Sequence, residues 1–393
     1  MCFRVKTGTS PECFSSRRFR DTVTKMPLLF IAILGVYQVL LFFVHSAVYK
    51  SIVDAFGWDP AWLAWAFGVL SLTFVISSLV VYRYSNAVTR TCYRVSSYWF
   101  GLVHFLFVGS FFFYLLELIF YGRDVYVSPA LLGVITLGGM FLIHVYASWR
   151  TGKPQMTRID VALPHLPDVW KGKKIVFVSD IHLGAIWTVG FAERIAAIIR
   201  SENPEVVLIG GDLFDGVKCD PEALAAPLAA LRPPRGIFYV TGNHEYVNGG
   251  IDVFMKSIRK MPFRVLENEA VDVAGLQFAG VDWKDTVGAE PYRQVLADIK
   301  IDAAKPSILI KHEPSELAVG EAAGFSLQLS GHTHQGQIFP LQLVTRRVYH
   351  GFDYGLKRFG RMEVFTSSGA GTWGPPLRFG TKSEIVAVTL KQA

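Results

Sequence analysis

Four long apolar runs fill the first 150 residues, and short apolar runs broken by polar loops fill the rest. No Asp, Glu, Lys or Arg falls within residues 26–49, 60–82, 95–116 or 125–149. Each run reaches the ~20 residues that a helix needs to cross the hydrocarbon of a bilayer. Backbone groups in lipid must be satisfied within their own segment, so the runs predict four transmembrane helices, at about 26–49, 60–82, 95–122 and 125–149. Residues 1–25 read as a basic segment before the first of them. The run that follows is too long for the apolar part of a signal peptide, so it reads as an anchor.

From Lys174 the period changes. Lys174–Val178, Val206–Ile209, Ile237–Val240, Ile308–Ile310 and Leu327–Leu329 are short β-rich runs. Phe191–Ser201 and Glu222–Leu231 have helical spacing, and residues 263–281 are β-rich with a turn at Ala274–Gly275. After His334 the pattern predicts strands at 337–344, Met362–Thr366 and Ile385–Leu390. Residues 151–173, with Pro154, Pro164 and Pro167, read as a linker leading into a domain at 174–393. Strands alternating with helices predict mixed sheets covered by helices.

Hydrophobic residues make up 51% of the chain, which carries a formal net charge of +7. Of its 39 Lys+Arg and 32 Asp+Glu, 12 and 6 fall in residues 1–150, leaving 27 against 26 for the rest. The basic excess therefore belongs to the membrane half, and no nucleic-acid partner is expected for a second half without a basic field of its own. Arg4, Lys6, Arg17, Arg18, Arg20 and Lys25 precede the first run, Arg83, Arg90 and Arg94 follow the second, and Arg150, Lys153 and Arg158 follow the fourth. The other two loops offer Lys50 and Arg123, so both termini and the second half are expected in the cytoplasm. Cys2, Cys13, Cys92 and Cys219 show no metal or redox spacing.

The chemistry lies at the ends of the β-rich runs. Asp180 and His182 follow the first, Gly211-Asp212 the second, Gly242-Asn243-His244-Glu245 the third, His312 the fourth and Gly331-His332-Thr333-His334 the fifth. Five of the ten His of the chain sit in these loops. Carboxyl ends of strands in an α/β sheet face a common crevice, so the loops predict one site rich in metal-ligand side chains.

This ordered pattern, DxH, GD, GNH, H and GHxH over residues 180–334, resembles the calcineurin-like metallophosphoesterase superfamily. The tail Ser367–Gly380 further resembles its membrane-anchored YaeI/YkuE-type phosphodiesterase branch. The resemblance implies a two-sheet αββα sandwich and two divalent ions, Mn²⁺ or else Fe or Zn²⁺. By it Asp180, His182, Asp212 and His334 would hold one ion, Asp212, Asn243, His312 and His332 the other, with a bridging hydroxide attacking phosphorus. His244 would act on the leaving oxygen, while Glu245 and Asp215 are candidates to orient the imidazoles from behind. One departure stands out: the protein-phosphatase branch places Arg after the second Asp of its GDxxD stretch, where this chain has Gly216.

Arg346, Arg347, Lys357 and Arg358 lie among aromatics between residues 345 and 361 and are candidate contacts for substrate or membrane. The expected function is an integral membrane, metal-dependent hydrolase of a phosphodiester or pyrophosphate, acting on a lipid-linked substrate. Two alternatives stand beside it: a sensor or transporter with a non-catalytic phosphoesterase-like domain, and a phosphomonoesterase or protein phosphatase.

Overall fold

The computed structural model describes residues 16–249 and 251–393. Residues 1–15 of the basic segment lie outside the described residues, and the backbone from Ser16 already belongs to helix α1 (Ser16–Phe56). Helices α2 (Ala61–Arg83) and α3 (Ala87–Tyr121) follow. Helices α4 (Pro129–Gly133) and α5 (Gly139–Thr151) then run on through a π-helical turn at Val134–Gly138. Four stretches, Ile31–Phe56, Ala61–Arg83, Ala87–Tyr121 and Pro129–Thr151, are long and apolar enough to cross a membrane. Their outer faces carry exposed apolar side chains such as Val39, Trp65 and Leu142, as lipid-facing helices require. Small and polar residues meet inside: Ser51 Oγ lies 2.7 Å from Ser110 Oγ, and Trp99 donates to His45 at 2.9 Å. The side chain of Asn86 caps α3 by accepting from Val88 and Thr89, so Arg90 and Arg94 lie inside the helix rather than in a loop.

The second half contains two six-stranded sheets. The first comprises β1 (Gln155–Leu163), β2 (Lys174–Val178), β3 (Val206–Ile209), β4 (Ile237–Tyr239), β5 (Phe263–Val265) and β12 (Glu384–Gln392), in the order β1-β12-β2-β3-β4-β5. The second comprises β6 (Glu269–Val273), β7 (Leu276–Gly280), β8 (Ser307–Ile310), β9 (Leu327–Ser330), β10 (Gly355–Phe359) and β11 (Met362–Thr366), in the order β10-β11-β9-β8-β7-β6. Phe177, Leu208 and Phe238 of the first sheet and Phe278, Leu329 and Phe365 of the second form one fully apolar layer between them. Helices α6 (Val189–Ser201), α7 (Pro221–Ala229) and α8 (Ile251–Ile258) cover the outer face of the first sheet through Ile195, Leu228 and Phe254. Helices α9 (Ala289–Asp298) and α10 (Leu317–Ala322) cover the second through Tyr292 and Val319. This is the helix–sheet–sheet–helix sandwich expected.

Two sequence expectations are corrected here. The linker at 151–173 contains β1, which pairs in parallel with β12 from Gln155–Glu384 to Leu163–Gln392. Pro154 and Pro164 flank that strand instead of interrupting it, so they bound it. The strand expected at 337–344 is replaced by a turn and helix α11 (Leu341–Val348). Its closely spaced Ile338, Phe339, Leu341, Leu343 and Val344 read as a strand, yet Leu341, Val344 and Val348 also fall at the helical spacing i, i+3 and i+7, and Pro340 stands at the N-cap, just before the first helical turn.

Candidate metal centre

Every loop singled out in the sequence leaves the carboxyl end of a strand in the middle of a sheet, and all converge on one buried point. Asp180 and His182 follow β2, Asp212 follows β3, Asn243 and His244 follow β4, His312 follows β8, and His332 and His334 follow β9. Reaching that point strains the backbone. Asp180, His182, Asp212, His332 and His334 all adopt positive φ, between 48° and 69°, a region that non-glycine residues enter at a cost of about 1 kcal/mol or more each. Close packing also dictates glycine at Gly331, where a Cβ would overlap Ser179 and Asp180.

His334 Nε2 lies 3.0 Å from His182 Nε2 and 3.6 Å from Asp180 Oδ1. Asp212 Oδ2 lies 3.7 Å from His182 Nε2 and 3.4 Å from His312 Nε2. Asn243 Oδ1 lies 2.8 Å from His332 Nδ1 and 3.2 Å from His312 Nε2. Three overlapping groups, Asp180/His182/His334, His182/Asp212/His244 and Asp212/His312/His332, each bring their ligand atoms within 4.8 Å of one another. His182 and Asp212 each belong to two of them.

The electrostatics favour a cation. Burial alone would raise the Asp212 carboxyl, but His312, with His244 and His182, holds it well below the usual range. Burial would likewise lower His312, yet Asp212 and Asp180 lift it to about 10. The carboxylates thus draw positive charge into the pocket, while desolvation keeps His182 and His334 neutral and able to offer lone pairs. The Nδ1–H of His312 is committed to the Gly210 carbonyl at 2.8 Å, which turns Nε2 toward Asp212 and Asn243. Nitrogen and oxygen donors in this mixture fit divalent transition ions, so the residues suit the group that the resemblance implies.

The supporting residues divide. Glu245 is fully buried, with its carboxylate accepting from the amides of Asp212 (3.0 Å), Gly242 (2.8 Å) and Phe214 (3.2 Å). It therefore locks the β3 and β4 loops together and orients no imidazole. Asp215 Oδ1 stands 3.9 Å from His182 Nδ1, and burial pushes that carboxyl up to about 7. The Asp215 carbonyl lies 3.4 Å from His244 Nδ1 and accepts a 3.4 Å bond from the Tyr82 hydroxyl of α2. His244 packs edge-on against His182, centroids 4.5 Å apart, and its amide donates to Asp212 Oδ1 at 2.8 Å.

Gly216 explains the missing arginine. Its φ is 78°, and a Cβ there would meet Val247 Cβ at 2.9 Å and the His244 carbonyl at 3.1 Å. Lys357 and Arg358 lie on exposed β10, Arg358 bonding Glu363 on β11 at 3.1 Å, and Arg346 and Arg347 lie on α11. None of the four is among the groups around the ligand cluster.

Sequence reasoning missed Arg378. This buried guanidinium donates to the carbonyls of Ser368 (2.6 Å) and Gly371 (2.7 Å) and to His334 Nδ1 (3.2 Å), leaving Nε2 of that ring to face Asp180 and His182. A glycine-rich tail holding one cation was the only hint.

Comparison with known proteins agrees with this geometry. The model of the calcineurin-like phosphoesterase family matches residues 173–336. A metallophosphoesterase of Aquifex aeolicus is 37% identical over 258 residues, covering 64% of this chain and 97% of that protein. A Danio rerio transmembrane protein with a metallophosphoesterase domain is 31% identical over 259 residues, covering 61% and 58%. The metallophosphoesterase YkuE of Bacillus subtilis is 28% identical over 272 residues, covering 66% and 92%. Four membrane-length helices joined to a domain with this sandwich, these ligand loops and these relatives leave one assignment: the chain belongs to the calcineurin-like metallophosphoesterase family.

Proposed function

We propose that the protein is a membrane-embedded hydrolase of phosphodiesters or pyrophosphates whose substrate is lipid-linked. The observation that carries this is where the ligand loops sit. The loop after β2 packs Ala185, and the loop after β3 packs Val217, against Val81 of α2 and Tyr93 of α3. Arg94 of α3 donates to the Ala185 carbonyl at 3.2 Å. The cluster therefore stands directly over the ends of membrane helices, where a lipid-borne ester is within reach and a soluble protein substrate is hindered. The lysine and arginine distribution supports a cytoplasmic position for that end.

In this reading Asp180, His182, Asp212 and His334 hold one divalent ion and Asp212, Asn243, His312 and His332 a second, with manganese the favoured metal. When bound, such ions polarise phosphoryl oxygens and acidify water for in-line attack. The chain supplies the rest. His244, held by the Asp215 carbonyl and by packing on His182, protonates the leaving oxygen. Arg378 and Glu245 fix the loops. Gly216, with no room for an arginine, leaves a site short of the clamp expected of a protein phosphatase, which favours a diester or pyrophosphate.

The test is hydrolysis of a generic aryl phosphodiester and its monoester by detergent-purified full chain with and without Mn²⁺, alongside Asp212→Ala. The expected result is diester cleavage abolished by chelator and by the substitution. Metal binding without hydrolysis of either ester would point to the non-catalytic alternative.

A further inference from the structure

Helix α11 is an eight-residue helix with no buried side chain. Leu341, Val344 and Val348, at i, i+3 and i+7, form an apolar stripe, with Leu343 beside it and Phe339 just before it. These five are between 45% and 63% exposed. A helix this short has little stability of its own in water, and an apolar patch this dense on a folded domain implies a partner.

Its surroundings identify that partner. Ile338, three residues before the helix, and Leu377 and Phe379 of the tail pack with Phe105 of α3 and with Met140, Ile143 and Ala147 of α5. Leu377 packs into the space beside Gly101 of α3, where a Cβ would displace its methyl group. At 1.5 Å per residue, Gly101 and Phe105 lie about 10 and 16 Å along α3 beyond Arg94, and Met140 lies about 16 Å before the end of α5 at Thr151. The docked segments thus reach alongside stretches that must lie in hydrocarbon, and exposed Phe339 and Trp373 sit next to them. Arg346 and Arg347 stand in the last turn of α11, as anionic headgroups favour. At that same end the hydroxyl of Tyr349, the residue that caps the helix, donates to Glu313 at 3.3 Å, and its ring is 6.4 Å from that of His332.

We infer that α11, with residues 338–340 and the 373–379 tail, is immersed in the leaflet that α2, α3 and α5 enter, forming a wedge that ends at the rim of the ligand cluster. The occupant of the apolar stripe is the boundary between acyl chains and headgroups. The cluster then receives its ester from the plane of that leaflet. This last clause rests on the proposed function; the immersion of α11 does not.

The full chain in nanodiscs of phosphatidylcholine and phosphatidylglycerol, with benzoylphenylalanine placed at Leu343 or at Val344 and irradiated, tests the immersion directly. Lipid adducts by mass at both positions are expected, and none from the same probe at Val287, an exposed apolar position of the catalytic half. No lipid adduct at 343 and 344, or adducts to a second copy of the chain instead, would overturn the immersion. The paired substitution Leu343→Asp with Val344→Asp tests the delivery. Turnover of an aryl phosphodiester carried on a diacyl lipid in vesicles should fall about tenfold, with turnover of the soluble aryl diester unchanged. Equal loss on both substrates, or on neither, would refute delivery from the leaflet. If the unmutated chain cleaves neither, the proposed function fails while the adducts still decide the immersion.

Discussion

Gly216 and Arg378 show how single residues set the character of the centre. At Gly216 positive φ and the nearness of Val247 act together. Gly216→Arg is expected to lower stability by about 2–4 kcal/mol, read as a shifted denaturant midpoint, because strain and overpacking add. It should not create phosphoprotein phosphatase activity. Arg378 satisfies several buried carbonyls at once, so Arg378→Met should cost about 3 kcal/mol and loosen His334. Weaker Mn²⁺ binding by calorimetry would accompany that loss. Glu245→Gln replaces one acceptor oxygen by a donor facing the amides of Asp212 and Gly242. We expect a 10–100-fold fall in activity with the fold retained, since residues behind metal ligands typically contribute that much. The loops that carry the candidate ligands were legible beforehand: Asp180, His182, Asp212, Asn243, His312, His332 and His334 each follow a recognisable strand, whereas Arg378 acts across a fold that the sequence does not display.

Elements were legible where their pattern met an ordinary partner. β2, β3, β4 and β8 are nearly continuous apolar runs because both faces are buried, one on the other sheet and one under helices, and β9, buried throughout, keeps Leu327 and Leu329 on the inter-sheet face. β1 failed that test because it is an edge strand, buried mainly at Val161 and Leu163, and flanked by prolines. α11 failed it because its partner is not protein at all. The β1 edge carries a pH signature. Glu202, at the end of α6, is paired with Arg158 of β1 and with Lys174 of β2 at 3.0 Å. Burial pushes its carboxyl up, but the two cations prevail and hold it below its ordinary value. A depressed carboxylate stabilises the fold in full above its unfolded pKa of about 4.3 and loses that contribution as pH falls through the lower folded pKa. Glu202→Gln should therefore reduce thermal stability at pH 7 and lose that effect as pH falls through the depressed folded pKa, by melting curves across the acid range.

At the scale of the molecule, the bundle and the sandwich are joined by apolar packing and a few directed bonds. Leu377 fills the notch at Gly101, and the Ser383 hydroxyl donates to the Thr151 carbonyl at 2.7 Å. Gly101→Leu should displace the tail and with it Arg378, so faster proteolysis of the tail and reduced hydrolysis are expected together. Chelation should act globally as well. Metal bound only by the folded state adds about 2.7 kcal/mol at a hundredfold excess over Kd, so EDTA should lower the melting temperature of the wild type but leave Asp212→Ala unmoved.

The sequence by itself determined the four membrane-length helices, the alternation of strands and helices, the strand-end loops that carry the candidate metal ligands, and the family. Each of these is written in local periodicity, or in short spacings at strand ends. Only the tertiary structure decided that β1 closes a sheet edge, that residues 341–348 are helical, that Glu245 ties loops, that Arg378 sets the ring of His334, and that the ligand loops face the membrane helices. These depend on contacts that run from tens of positions, such as Glu245 with Asp212 and Arg378 with His334, to hundreds, such as Gly101 with Leu377 and Gln155 with Glu384. A one-dimensional pattern records which side chains need burial, but not which distant surface, protein or lipid, will supply it.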